Sequence, residues 1–322
     1  VNRRRYLARA GCLGVIAVTA GCLASESDGP DRAADDRTGD RALERAVGEL
    51  NRAALALDEG LDGVEDSEAV DFDAAEPRDL IASAREHLET AATALPDDSQ
   101  PDVAELRAYA DVLDGMLDVA VTITDDTLAD DIEAVTAAIE ADGRIQEATR
   151  TVDERNATLE TAADRLDGAE TTLDALDGDR LADLSIVDLA RVEEGLDALA
   201  DVLGSMATLG SGYDAMLEGY ASLDRGRTAA EDRSHETAIE EFEAAESAFE
   251  TAMAAFDDGA AAAPSGLVSY FETARCQGDT LETAAGHFEA ASNAAASGDT
   301  LTARRRREDG EAALEDAAAC SS

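Results

Sequence analysis

From residue 41 onward the apolar positions recur at intervals of three and four, the spacing that lines one face of an α-helix, and alanine and acids stand where the β-branched and aromatic residues of strands would. The pattern predicts helices near 41–60, 78–95, 102–123, 127–141, 144–176, 185–209, 213–224, 234–257, 266–296 and 300–318. Pro77 fits the first turn of its helix and Pro96 follows the end of the same one, as a residue without an N–H requires. Ser99 and Asp299 stand where N-caps belong. The expected fold class is all-α: an antiparallel helical bundle with a coiled-coil region, followed by stacked helical hairpins.

Two stretches carry more than amphipathic spacing. Ile145, Val152, Leu159, Leu166 and Leu173 recur every seven residues, with Ala148, Ala162, Ala169 and Leu176 on the adjoining position, which is a coiled-coil seam. Arg155 interrupts the alanine row and is read as a solvated side chain. Upstream, Leu128, Ile132, Val135 and Ile139 keep their own spacing but arrive one residue out of register. A turn at Asp142–Gly143 explains the slip; a stutter in one continuous helix is the alternative. Further on, Phe242, Phe249 and Phe256 also fall every seven residues, beside Ala238, Ala245 and Ala252, and are read as core rather than as an aromatic ligand box.

The segment 236–245 recurs 46 residues later as 282–291, both containing Ala-x-x-x-Phe-x-x-Ala (Ala238, Phe242, Ala245; Ala284, Phe288, Ala291). Each copy resembles the second helix of a tetratricopeptide repeat, in which these residues pack adjacent hairpins. The spacing is not the 34 of that family and its first-helix signature is absent, so the resemblance implies stacked hairpins without membership. The reading divides the folded part into a bundle at 41–210 and tetratricopeptide-like hairpins at 211–322.

Composition then narrows the setting. The 322 residues carry 73 Asp+Glu against 26 Lys+Arg, a formal charge of -47, and every one of those cations is arginine. The surplus runs along the whole chain, so it coats a fold rather than forming an acidic arm. Such a surface repels nucleic acid, which is not expected as a partner. In dilute buffer it also opposes compaction, whereas at about 1 M salt the Debye length falls to roughly 3 Å. Hydrophobic residues at 45% still suffice for a core, and no apolar run reaches the roughly 20 residues that cross a bilayer.

The first 21 residues break this acidic rule. They hold Arg3, Arg4, Arg5 and Arg9 and no acid, then a short apolar run from Leu13 to Ala20, the build of an export signal. Asn2-Arg3-Arg4-Arg5-Tyr6-Leu7 resembles the twin-arginine signature, with Arg3 and Arg4 as the pair and Tyr6 and Leu7 as the bulky positions. Val18-Thr19-Ala20-Gly21-Cys22 resembles a lipobox, with Thr19 where that family prefers leucine; Cys12 has no apolar run upstream. Together with the lysine-free acidic composition, these residues resemble haloarchaeal Tat-exported lipoproteins. The resemblance implies a signal at 1–21, a lipid on Cys22 and location on the extracellular face of the cell membrane. Residues 22–40 have few large apolar side chains and are expected to form an acidic flexible tether of roughly 20 to 25 Å.

Little in the remaining chain suggests chemistry. Cys276 and Cys320, an even pair in an exported chain, are expected to form a disulfide rather than remain two free thiols. His87, His235 and His287 stand apart without ligand spacing, so no metal is expected. Gly210-Ser211-Gly212 is neither a nucleophile elbow nor a phosphate cradle, and Asp177 and Asp179 read as a solvated turn. Asn156-Ala157-Thr158 is a glycosylation sequon. Arg304, Arg305, Arg306 and Arg307 form a basic cluster that is either neutralised by Glu308, Asp309 and Glu311 or docks an acidic partner. The expected function is a lipid-anchored structural or protein-interaction scaffold among other envelope proteins, without catalysis, metal or cofactor. The alternative is a binding component of an envelope or solute-uptake complex.

Overall fold

The computed structural model describes residues 32–62, 64, 72–125, 131, 135, 137, 145–186 and 189–320. Among them there is no strand. The helices are α1 (Arg32–Leu61), α2 (Ala75–Ala94), α3 (Gln100–Ile123), α4 (Ile145–Ala175), α5 (Gly178–Asp183), α6 (Leu189–Glu231), α7 (His235–Ala262), α8 (Val268–Ala296) and α9 (Thr300–Ala319). Short 3-10 turns precede α3 and α8. The helix expected near 127–141 and the turn at Asp142–Gly143 lie mostly outside the described residues, although Asp131 and Val135 are helical.

Successive helices run antiparallel, and contact pairs at both ends fix the register. Gly39 meets Leu95 while Gly60 meets Phe72, which sets α1 against α2. Arg180 reaches Asp102 and Gly115 meets Ala169, which sets α4 and its short extension α5 against α3. Buried side chains from Ala42 to Ala317 form a single connected core. The expected seam is used, but by two neighbours: Val152, Leu159 and Leu166 with Ala148, Ala162 and Ala169 are buried on α4, which packs on both α3 and α6.

Three expectations are corrected. The first helix starts at Arg32 rather than at 41, so the last nine residues of the segment read as tether are helical. The missing signal was Gly39, which is buried because its lack of a side chain lets Leu95 close on the helix. Second, α6 is one helix of 43 residues, not two, and the division placed at 210/211 falls near its middle. Gly210-Ser211-Gly212 resembles a break, yet Gly212, Gly219 and Gly226 repeat every seven residues and receive the rings of Phe256, Phe249 and Phe242 respectively. A Cβ at Gly219 would stand 2.7 Å from the Phe249 ring and one at Gly226 2.6 Å from that of Phe242, too near for either. Glycine inside a helix costs about 0.5–1 kcal/mol relative to alanine, while burying a phenylalanine contributes about 1.5–3 kcal/mol, so the interlock outweighs the loss.

Third, the two tetratricopeptide-like copies are not equivalent helices of successive hairpins. They lie on α7 and α8, the two arms of one hairpin, and face each other: the rings of Phe242 and Phe288 stack at 5.7 Å between centroids. Gly259 admits Phe271 at the other end of the same pair, which fixes the arms as antiparallel. Hairpins do stack, but without a solenoid period.

The turns explain the helix ends. After α6, Arg233 takes a left-handed φ of 62°, and Ser234 N donates to Ala229 O at 2.9 Å to close the helix. After α8 the same turn is made by Gly298 at φ 83°, where no side chain is strained. Asp299 then caps α9, accepting from Thr302 N at 3.1 Å and from its hydroxyl at 2.7 Å. Ser99, expected as a cap, makes no such side-chain bond to α3.

Candidate functional site

Arg3, Arg4, Tyr6, Leu7 and Cys22 lie outside the described residues. Of the other residues singled out from the sequence, Cys276 on α8 and Cys320 at the end of α9 are joined by a disulfide with 5.8 Å between Cα atoms. Arg304, Arg305, Arg306 and Arg307 lie in the first half of α9 and are exposed. Arg304 pairs with Glu308 at 2.8 Å, Arg307 with Glu311 at 3.5 Å and Arg306 with Asp309 at 3.7 Å, all within the helix, and the field of Arg305 reaches Asp299. Beside them Leu301 is 80% exposed, the most open large apolar side chain described. The histidines are not brought together, and no group of three or more His, Cys, Asp or Glu suited to a metal occurs among the described residues.

Asn156 of the sequon is half-buried on α4. Its amide end lies in the interface between α4 and α6, against Gly210, where a Cβ would overlap Oδ1. Oδ1 is enclosed without a hydrogen-bond partner, as is the hydroxyl of Tyr213, which is 3% exposed. Burial pushes the Tyr213 hydroxyl well above its usual range, keeping it a neutral donor.

Arg155 lines the same place, and it is not solvated. Its side chain is 11% exposed, and Nε and Nη2 donate to Asp131 Oδ2 at 2.8 and 2.7 Å, with Asp131 26% exposed. Together with Val152, Met206 and Leu209 these groups line a half-open cavity of about 30 Å³, room for one or two waters. The spot can hold a proton or a water in place, but it has no nucleophile and no free carboxylate to act on a bound molecule. The heptad did signal it: an arginine between Val152 and Leu159 on a packed seam requires an acid from a neighbouring helix.

The larger opening is a groove of about 900 Å³ between α1, α3 and the start of α6. Its floor holds Leu57, Leu113 and Met116, and its rim Asn51, Asp58 and Arg191. Arg191 bridges to Asp58 at 2.9 Å, and Asn51 Nδ2 donates to Ser185 O at 3.0 Å, so the rim fastens α1 to the α5–α6 region. Leu55, half exposed, stands on its edge. Nothing in the sequence pointed to this groove, because its lining is assembled from helices that are not neighbours along the chain. An apolar floor with a polar rim is the ordinary build of a ligand pocket.

No helix of the described residues is long and apolar enough to cross a membrane. Compared with known proteins, the chain matches no protein-family model, no curated protein and no solved structure.

Proposed function

We propose that this chain is a lipid-anchored scaffold of the cell surface, held by a lipid on Cys22 and presenting a stiff helical body to other envelope proteins. The observation that carries the scaffold reading is α6, a single helix of 43 residues that packs on the bundle with one half and on the hairpins with the other. At 1.5 Å per residue it is about 65 Å long, and it ties both regions into one lever. Export rests on Arg3, Arg4, Tyr6 and Leu7, and anchorage on the lipobox-like run ending at Cys22. The proposed docking face for an acidic envelope partner is the outward side of α9, where Leu301 offers an apolar contact beside Arg304–Arg307. Catalysis, metal and cofactor are not part of the proposal.

The test is fractionation of cells in molar salt. The wild-type chain is expected in the membrane fraction and Cys22→Ala in the medium or as unprocessed precursor. Replacement of Arg3 and Arg4 by lysine is expected to leave the chain inside the cell. Correctly cleaved, membrane-bound Cys22→Ala protein would defeat the anchor. Co-purification of the same envelope proteins from wild-type membranes, and their loss with Arg304→Glu/Arg305→Glu, supports the scaffold. The groove between α1, α3 and α6 favours a second reading, a solute-binding component. A small molecule retained in native mass spectrometry and lost in Leu113→Trp would support it instead.

A further inference from the structure

We infer that α9 is a strap whose docking is controlled by the redox state of the Cys276–Cys320 bond. The inference goes beyond the scaffold reading and does not depend on export or lipid attachment. Three features of the strap lead to it.

The helix lies along α8, but its hold rests on small side chains. Among its 20 residues only Gly310, Ala313 and Ala317 are buried, with Leu314 half covered. Alanine and glycine remove little apolar area from water, and most of a helix's stability in a protein comes from packing its apolar face. The contact it does make is with α8, where Gly310 lies over the ring of Phe288; a Cβ there would approach Cζ to 3.0 Å. Most of its remaining surface is charged, and the pairs Arg304–Glu308, Arg306–Asp309 and Arg307–Glu311 are internal to α9. These pairs survive undocking and give no reason to stay on α8.

The covalent link therefore supplies what packing lacks. It joins positions 44 apart, and closing such a loop favours the docked state by about 100- to 1,000-fold over the open chain in the chain-entropy account. It is also placed for exchange: Cys276 is exposed on α8 and Cys320 half exposed at the end of the strap.

The step needs a dithiol as reductant. One of its thiolates attacks the Sγ of Cys320, forming a mixed disulfide as the Cys276 thiolate leaves and takes up a proton. The second thiol of the reductant then attacks the mixed bond, so both cysteines end as thiols and the reductant as a cyclic disulfide. Two electrons pass in all. The strap is then free to leave, uncovering the Phe288 ring and carrying Arg304–Arg307 away from the body.

Hydrogen exchange on the full-length chain in molar salt tests this, with and without a water-soluble dithiol. Reduction is expected to raise exchange of the 300–319 amides at least tenfold, while α6 and α7 are unchanged, and reoxidation to restore protection. The double variant Cys276→Ser/Cys320→Ser should match the reduced protein without any reductant. Protection of 300–319 that is the same in the reduced chain, or a loss spread equally over α6 and α7, would overturn the proposal.

Discussion

The two ends of α6 are held by different means. Around its first half, arginines cross between helices to reach acids: Arg85 to Asp111 and Asp114, Arg165 to Asp118, Arg180 to Asp102, Arg191 to Asp58 and Arg155 to Asp131. Around its second half, cross-helix pairs such as Arg225–Glu241 and Arg275–Asp257 occur, but the α7–α8 seam sets acid against acid. Glu246 on α7 feels Glu289 and Glu282 on α8 as well as its neighbour Glu243, and Glu282 feels Glu250 and Asp279. Shape replaces charge there: rings enter glycines, and a disulfide closes the end. One composition thus meets its own charge in two ways, mostly by pairing in the bundle, where Glu170 against Asp197 is an exception, and by relying on the surrounding solution at the α7–α8 seam.

The largest expected effect follows directly. Net folding stability is only about 5 to 15 kcal/mol, and withdrawing salt removes the screening of a chain at -47. Dialysis from molar to millimolar salt at pH 7 should cost cooperative structure, with α7 and α8 losing exchange protection before α2 and α3. Acid should act as salt does. Burial, and then nearby acids, hold Glu246, Glu282, Glu170 and Asp214 above their usual range. For a carboxyl raised in the folded state, the stabilisation is full below the unfolded pKa and is lost as pH rises through the folded one. Stability in dilute salt should therefore increase as pH falls from 7 toward the ordinary carboxylate range. Asp299 has the opposite sign, because the bonds from Thr302 hold it low. Melting temperature against salt at pH 7 and again at pH 5 reads both, and a melt indifferent to either would erase the distinction between the regions.

Next come the rings. Phe249→Ala empties a site that is 0% exposed and should destabilise by about 3–5 kcal/mol in denaturant titration. Gly219→Ala should also destabilise, against the ordinary helix preference for alanine, since its Cβ would stand 2.7 Å from the Phe249 ring. The diagnostic is the double variant: with the ring gone, Gly219→Ala should become favourable. Additive losses would mean that ring and glycine do not interlock.

In the bundle the corresponding test is Arg155→Met, which strands Asp131. Removing one partner of a buried pair costs about 3–5 kcal/mol, and with both groups partly exposed here about 2 kcal/mol is expected. Adding Asp131→Asn should recover most of it. A single variant within a few tenths of wild type would place this arginine among solvated surface charges, as its residue type suggests.

The helices themselves were legible because their faces repeat, and the seams of Val152–Leu166 and Phe242–Phe256 could be read for the same reason. What escaped was reciprocal. Phe242, Phe249 and Phe256 were matched to alanines on their own helix, whereas their partners are Gly226, Gly219 and Gly212 on another. The same spacing of seven appears in both rows, but glycine reads locally as a break, and only pairing the rows in antiparallel order turns it into a socket. The charged sites failed differently. Arg155 is a surface residue by type and a buried one by register, and where acids are abundant no single Asp131 can be chosen from the sequence. The groove left no trace because its lining is assembled from α1, α3 and α6.

The smallest effect tests the same logic by its absence. Gly204 lies in α6 as Gly219 does, but it is exposed, and a Cβ added there meets nothing within 4 Å. Gly48 in α1 and Gly168 in α4 are alike. Their backbones are already helical, so alanine brings no strain and reduces the freedom of the unfolded chain. Each replacement should stabilise by about 0.4–1 kcal/mol. Gly204→Ala and Gly219→Ala thus make the same chemical change in one helix and should move the denaturation midpoint in opposite directions. Two stabilising shifts would mean that α6 tolerates a side chain at either position, and that its glycines reflect composition rather than sockets for the rings of α7.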